Sequence, residues 1–149
     1  MPAYHEKRVL PYTPRQMFEL VADVAKYHEF LPWCAGSRVN WRKENVLNAD
    51  VDIGYKILRE TFNSNVVLDP HEKIDVVYQS GPFAHLRNYW TFRPVKVKRA
   101  THCEVEFDID FRFSSGLLNA AMSLVFEEAV KKMIGAFETR AAEIYRKAD

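Results

Sequence analysis

A cysteine inside an aromatic segment is the first candidate for chemistry in this chain. Cys34 lies in YHEFLPWCAG, residues 27–36, which also contains His28. A nucleophilic cysteine needs a histidine, another cation or a helix N-terminus beside it, because one of these must stabilise the thiolate. His28 precedes Cys34 by six positions, which does not establish such a contact. We therefore expect an inert thiol at Cys34.

The histidines and the second cysteine do not form a metal-binding pattern. The five histidines are His5, His28, His71, His85 and His102. They are dispersed over the chain without HxxxH or HExxH spacing. Cys103 lies 69 positions after Cys34, and no CxxC pair occurs. We predict no metal site, and reduced thiols in a cytosol-like compartment.

Sequence motifs of nucleotide-dependent and hydrolytic enzymes are also missing. No GxSxG, GxGxxG or Walker pattern occurs, and five glycines leave little material for a phosphate-binding loop. An enzyme needs titratable groups that converge in a cavity. In the two segments with the clearest alternation, Asp50, Asp52 and the acids at positions 104–110 fall on the side opposite the apolar residues. We therefore predict no catalytic residue and no cofactor.

Length and charge place the chain among single-domain globular proteins. We expect one domain over residues 1–149, large enough to bury about two-thirds of its unfolded surface. Lysine and arginine number 21 against 20 acidic residues, without a basic block, so no DNA partner is indicated. No apolar stretch approaches the ~20 residues that span a bilayer, so any membrane contact must be peripheral. The N-terminus resembles neither a signal nor a transit peptide, which predicts a cytoplasmic or already trimmed chain.

The order of the predicted elements indicates the fold class. A strand at HEKRVL precedes a helix with Thr13 as N-cap, Pro14 at N1 and Gln16 closing a capping box. Alternating segments follow at VLNADVDIGY, RETFNSNVVL, IDVVYQ, LRNYWTFRP and CEVEFDIDFRF, which is typical of an antiparallel sheet with one wet face. The segment from Ser114 onward predicts one helix of about 28 residues, roughly 42 Å long. We predict an α+β fold in which a curved antiparallel sheet wraps a long C-terminal helix.

Three separated segments resemble one known family. LPYTPRQMFELVADVAKYHEFLPWCAGSRV, SGPFAHLRNYWTFRP and FDIDFRFSSGLL with FEEAVKKMIGAFETRA are similar to the coenzyme Q-binding family of START-like (SRPBCC, polyketide cyclase-like) domains, from about Tyr4 to Tyr145. The resemblance implies a helix-grip fold with a hydrophobic cavity. It also implies non-catalytic binding of ubiquinone or a related polyisoprenoid lipid, in support of respiration and quinone biosynthesis, at a peripheral membrane surface. From the residues alone a packed core is favoured over a cavity; the resemblance reverses that preference.

The resemblance also implies which residues bind the ligand. The expected pocket residues are Phe30, Pro32, Trp33, Val51, Ile53, Tyr55, Phe62, Trp90, Phe107, Ile109, Phe111, Leu118, Met122 and Phe126. In this interpretation the LPWC segment forms part of the pocket wall. A polyisoprenoid must enter from lipid, because each exposed CH₂ costs about 0.8 kcal/mol. We expect the membrane entrance at Leu58, Leu117 and Leu118.

Two other functions stay open at this stage. A bacterial branch of the same family is described as a ribosome-association inhibitor that binds the large ribosomal subunit, although PWC and LRETF resemble the quinone-binding branch more closely. A cyclase-type enzyme on the same scaffold is the third hypothesis, and an inward-facing Glu60 or Asn88 beside a histidine would support it. The expected location is the bacterial cytoplasm and inner face of the inner membrane, or the mitochondrial matrix side if a presequence was trimmed.

Overall fold

The computed structural model describes residues 3–55 and 58–145; the side chain of Tyr55 also lies outside the described part. The strands are β1 (Ala3–Leu10), β2 (Cys34–Lys43), β3 (Val46–Tyr55), β4 (Leu58–Asp69), β5 (Lys73–Ser80), β6 (Phe83–Val97) and β7 (Ala100–Phe113). The helices are α1 (Pro14–Ala22), α2 (Gly116–Ser123) and α3 (Phe126–Ile144), with a 3-10 helix at Val24–Glu29. None of the described helices is both long and apolar enough to cross a membrane.

All seven described strands form one antiparallel sheet in the order β1-β7-β6-β5-β4-β3-β2. Strands β2 to β7 follow one another as a meander, whereas β1 pairs with the last strand. The first crossover carries α1 and the 3-10 helix, and α2 and α3 follow the last strand. The curved sheet holds the buried face of α3 against its inner side, so the predicted α+β helix-grip fold is confirmed.

The start of α1 has the predicted capping geometry. The amide of Gln16 donates to Thr13 Oγ1 at 3.1 Å, and the amide of Thr13 donates to Gln16 Oε1 at 2.9 Å. These two bonds satisfy donors that a helix start otherwise leaves without partners. The helix ends at Ala22, and the 3-10 helix begins after Asp23, at Val24. Its buried face, centred on Met17 and Val21, closes one end of the core.

Strand β2 was absent from the strands predicted by alternation. It is an edge strand in which Cys34 is buried while positions 40–43 are exposed. Register shifts occur between Cys34 and Gly36 and between Val39 and Trp41, so the side chains do not alternate with a constant period. A bulge of this kind is common on sheet edges, where it discourages pairing with other chains. The same irregularity removes the signal by which a strand is found in a sequence.

The prediction of a single C-terminal helix of about 28 residues is wrong. Helix α2 ends at Ser123, and α3 starts at Phe126. The Ser123 hydroxyl donates to the carbonyl of Asn119 at 2.7 Å, and the amide of Val125 bonds to the carbonyl of Met122 at 3.1 Å. A serine hydroxyl that bonds to the carbonyl four residues earlier disturbs a regular α-helix, and so does a backbone bond that spans three residues instead of four. Asn119 also bonds both backbone groups of Phe113, which ties α2 to the end of β7.

The turn between β5 and β6 generates a test with a matched control. Gly81 has a φ of +140°, and a Cβ there would lie 2.9 Å from Phe62 Cα. Gly81→Ala should therefore lower the free energy of unfolding by about 2 kcal/mol or more. A Cβ at Gly135, within α3, would meet nothing within 4 Å, so Gly135→Ala should raise it by up to about 1 kcal/mol. Urea denaturation measures both; equal effects of the two substitutions would contradict this account.

Candidate functional site

An apolar cavity lies between the inner face of the sheet and α3. Its volume is about 170 Å³. Helix α3 contributes Ala129, Val130, Met133 and Phe137 to its wall. Ten of the residues expected from the resemblance line it: Trp33, Val51, Ile53, Phe62, Trp90, Phe107, Ile109, Phe111, Met122 and Phe126. Strand alternation located most of them, because each lies on the inner side of its strand.

Three other expected pocket residues lie outside the cavity wall. Phe30 packs behind the wall, with its ring centroid 5.2 Å from that of Phe137. Pro32 is exposed and lies in the turn that precedes β2. Leu118 is half-buried and packs against the core without lining the cavity. The side chain of Tyr55 lies outside the described residues.

The expected membrane entrance is only partly on the surface. Leu58 is 4% exposed and lines the cavity, so it forms part of the inner wall and does not lie on the surface. Leu118 is turned toward the core. Leu117, by contrast, is 80% exposed. Strand pairing explains the error at Leu58: it lies opposite Tyr55 in the β3–β4 ladder and shares the inner face with Phe62.

The cavity contains an oriented amide that the sequence interpretation did not assign to the pocket. Asn88 lies on the inner face in a row formed otherwise by apolar residues of four neighbouring strands, Leu47, Val66, Val76 and Ile109. Its amide donates to the Asp108 carbonyl at 2.9 Å, and its side-chain oxygen accepts from Trp90 Nε1 at 3.2 Å. An asparagine side chain has two donor hydrogens and two acceptor lone pairs, so one of each remains for a ligand. In the sequence, Asn88 shares the alternation of Leu86 and Trp90.

The chemical capacity of the described lining is limited to contact and hydrogen bonding. Its titratable side chain is Tyr27, whose hydroxyl donates to the carbonyl of Val21, and whose pKa is raised above its ordinary value by burial. Asn88 is bonded to a backbone carbonyl and an indole, and Glu60 is exposed. The described lining therefore offers no pair of groups for general acid and base catalysis.

The segment with Cys34 contributes to the wall through its neighbours. Tyr27, Leu31 and Trp33 line the cavity, whereas Cys34 is buried beside it and donates to the Gly36 carbonyl at 3.3 Å. Burial raises the pKa of the Cys34 thiol, so the unreactive thiol form is favoured. His28 bonds to Ser37 through Nδ1 at 3.2 Å. These contacts support the expected inert thiol.

A polar cluster on the outer face of the sheet lies apart from the cavity. His5 Nε2 lies 2.7 Å from Glu106 Oε2 and 3.9 Å from Asp108 Oδ1. The hydrogen bond from His5 lowers the pKa of Glu106. Sequence spacing could not show this group, because β1 and β7 meet only in the folded sheet. Exposed acidic groups are common without a metal ion, so the cluster is explained as a polar contact on the protein surface.

Comparisons with known proteins agree with the cavity and the fold. The family model described as polyketide cyclase/dehydrase and lipid transport matches residues 10–138. The ribosome association toxin RatA of Rickettsia prowazekii is 35% identical, over 98% of this chain and 100% of its own. The mitochondrial coenzyme Q-binding protein COQ10 homolog B of Xenopus laevis is 36% identical, over 95% of this chain and 59% of its own. A START superfamily protein from Mycobacterium smegmatis superimposes with a TM-score of 0.75 over 96% of this chain and 99% of its own, at 14% identity, which is a likeness of fold.

The buried thiols predict a loss of stability at alkaline pH. Burial raises the pKa of Cys103 from 9.0 to about 12. A raised pKa in the folded state stabilises the protein fully below the unfolded value, and this contribution is lost as pH rises toward the folded value. The free energy of unfolding of wild type should thus fall between about pH 9 and 12. Cys103→Ala should show a shallower slope in urea denaturation at the same pH values, and an identical slope would exclude the thiol as its source.

Proposed function

Because the chain belongs to the START-like family of polyketide cyclase/dehydrase and lipid transport domains, we propose that its cavity binds a polyisoprenoid quinone such as ubiquinone without converting it. The observation that carries the proposal is an apolar cavity with one oriented amide, Asn88, among its apolar walls. A quinone ring has the same pattern, with an apolar body and a few hydrogen-bond acceptors. The coenzyme Q-binding name of the Xenopus laevis relative adds support from a chain of 36% identity.

The size of the cavity suits the ring of such a ligand. One water molecule needs about 10–15 Å³ of comparable space, so a volume of about 170 Å³ admits roughly a dozen atoms of that size. That number is close to the heavy atoms of a substituted quinone ring. The aromatic walls are dense: the Trp90 ring lies 4.6 Å from the Phe107 ring and 5.2 Å from the Phe137 ring. Such walls favour a flat, apolar ring over a hydrated solute.

Asn88 supplies the polar contact in this proposal. Its free donor hydrogen can bond to a quinone carbonyl or methoxy oxygen, while the bonds from Trp90 and to Asp108 hold the amide in place. An amide that is already oriented loses little conformational freedom when the ligand binds. The Asn88 amide also distinguishes a quinone from a hydrocarbon, because a bound hydrocarbon would leave the buried donor hydrogen of Asn88 without a partner.

The isoprenoid tail extends beyond the space that the cavity provides. A dozen atoms account for the ring, and each further CH₂ exposed to water costs about 0.8 kcal/mol. Wall residues on several elements are half-buried, among them Trp33, Ile53 and Met122, so the cavity is not sealed from the surface. We therefore infer that the tail leaves through this wall and remains in lipid, and we propose the inner face of a bacterial membrane or the matrix side of the mitochondrial inner membrane as the location.

Ribosome association is the second candidate function, and the name of one relative favours it. The ribosome association toxin RatA of Rickettsia prowazekii is 35% identical to this chain. Cosedimentation with large ribosomal subunits tests this candidate separately, because it requires no cavity ligand. A cyclase-type activity finds less support, since the described lining holds no acid and base pair.

Two neighbouring valines of β5 give a direct test of ligand binding in the cavity. Val76 lines the cavity, whereas Val77 is 41% exposed on the opposite face of the same strand. Val76→Trp should fill the cavity and reduce binding of a short-chain ubiquinone, presented in detergent micelles, more than tenfold. Val77→Trp should bind as wild type does. Chromatographic assay of retained quinone measures both.

A folded Val76→Trp protein that binds quinone normally would rule out this cavity as the site. Far-UV circular dichroism and urea midpoints establish that each variant is folded. If Val76→Trp does not fold, Val76→Phe adds less volume at the same position and takes its place, with Val77→Phe as its control.

The amide predicts selectivity between ligands. Asn88→Leu keeps the branching and the number of heavy atoms but removes the donor, so it should weaken quinone binding about tenfold without weakening the binding of an isoprenoid hydrocarbon that has no ring. The substitution also removes the partner of Trp90 Nε1 and should destabilise the fold by about 1–3 kcal/mol. The ratio of the two affinities is therefore the informative quantity. Equal losses for both ligands would contradict a bond between Asn88 and the ring.

A further inference from the structure

Helix α2 presents an apolar face to solvent. Leu117 is 80% exposed and Leu124, directly after the helix, is 87% exposed. Ala120 and Ala121 lie between them and are exposed as well. The spacing of three, four and seven residues puts all four side chains on one side of the helix. We refer to these four residues as the α2 outer face.

The sequence around the α2 outer face is free of charge. Residues 113–126 contain no lysine, arginine, aspartate or glutamate, in a chain of which 28% is charged. None of the eight residues of α2 is buried. An ordinary surface helix carries charged residues on its solvent side. A short uncharged helix with two exposed leucines therefore indicates an apolar contact outside the chain.

The other side of the same helix reaches the cavity. Met122 lines the cavity, as does Phe126 at the start of α3, and Leu118 packs against the core. The α2 outer face and the cavity are thus separated by the thickness of one helix, about 10 Å with its side chains. Whatever covers the outer face is adjacent to the cavity.

An unpaired cation lies at the edge of this helix. Arg112, the penultimate residue of β7, is exposed, and its guanidinium has no ion pair or hydrogen bond among the described residues. Together with Tyr4, Asn119 and Ser123 it lines a cleft of about 600 Å³ that shares Phe126 with the cavity. Glu127 also lines this cleft, but its carboxylate is paired with Lys131 at 2.9 Å. Arg112 is therefore available to a phosphate group.

We propose that the α2 outer face docks on an anionic lipid bilayer, with Arg112 bound to a phospholipid phosphate at its edge. The inference rests on the proposed function in one respect, that the bilayer is the source of the cavity ligand.

A protein partner fits the observations less well. A stable protein interface buries about 800 Å² on each side and needs polar groups to set its orientation, whereas this helix is eight residues long and its outer face carries none. A bilayer requires only apolar side chains and a nearby cation.

Vesicle flotation tests this surface. Full-length wild type is mixed with vesicles of phosphatidylcholine alone, or with phosphatidylglycerol added. The double variant Leu117→Ser/Leu124→Ser should lower the partition coefficient on both vesicles more than tenfold. The matched control is Val67→Ser/Val77→Ser, two exposed residues on the outer face of the sheet, which should bind as wild type does. Arg112→Gln should weaken binding about fivefold on the anionic vesicles only, and Arg42→Gln should leave it unchanged.

The outcomes separate this inference from the proposed function. Quinone binding from detergent micelles is measured for the same variants, and the leucine variant should keep it, because neither leucine lines the cavity. Wild type that binds quinone but no vesicles would overturn the docking surface and leave the proposed function intact. Wild type that binds vesicles but no quinone would overturn the proposed function and leave the docking surface intact. If the leucine variant loses ribosome cosedimentation while wild type ignores vesicles, the face binds the ribosome and the bilayer is wrong.

Discussion

The fold depends on the burial of one apolar face of α3 against the inner side of the curved sheet. Phe137 lies at the centre of this contact: its ring is 5.2 Å from the Trp90 ring on β6, 5.2 Å from Phe30 and 5.4 Å from Tyr27. One residue therefore joins the sheet, the C-terminal helix and the segment that precedes β2. Edge-to-face rings of this kind contribute about 0.5–1.5 kcal/mol each beyond the area that they bury. Without this contact the inner face of the sheet around Trp90 would lose its packing against α3.

The same contact leaves a cavity, and this cavity lowers the free energy of unfolding. At ~24 cal/mol per Å³, a volume of about 170 Å³ corresponds to roughly 4 kcal/mol of lost packing. The outer face of the sheet contributes polar pairing instead: buried Asn48 is bonded to Asn40, Asn63 and Asn65 at 2.8–2.9 Å. Such satisfied bonds hold the register of β2, β3 and β4 around the unfilled interior. A ligand that fills the interior would recover part of the lost packing, which couples binding to stability.

The sequence predicts the outline of this structure because local rules decide it. The alternation from Cys103 to Phe113 places the inner residues of β7 correctly, and Thr13 with Gln16 locates the start of α1. Features that arise from pairing across the fold are harder to predict. Bulges remove the alternation of β2, and the bond from the Ser123 hydroxyl disturbs the last helix. Asn88 is oriented by Trp90 on its own strand and by Asp108 on β7. Whether the interior is packed or hollow follows from volumes of facing side chains, so only the family resemblance predicted a cavity.

The central claim is that this interior holds a polyisoprenoid quinone in the cell. Organic extraction and mass spectrometry of the protein, purified without detergent from a host that makes ubiquinone, tests it most directly. A protein purified in parallel from a host unable to make ubiquinone sets the background. The account predicts ubiquinone in the extract at close to one molecule per chain. An extract at background level, from protein that is folded and free of other bound lipid, would contradict it.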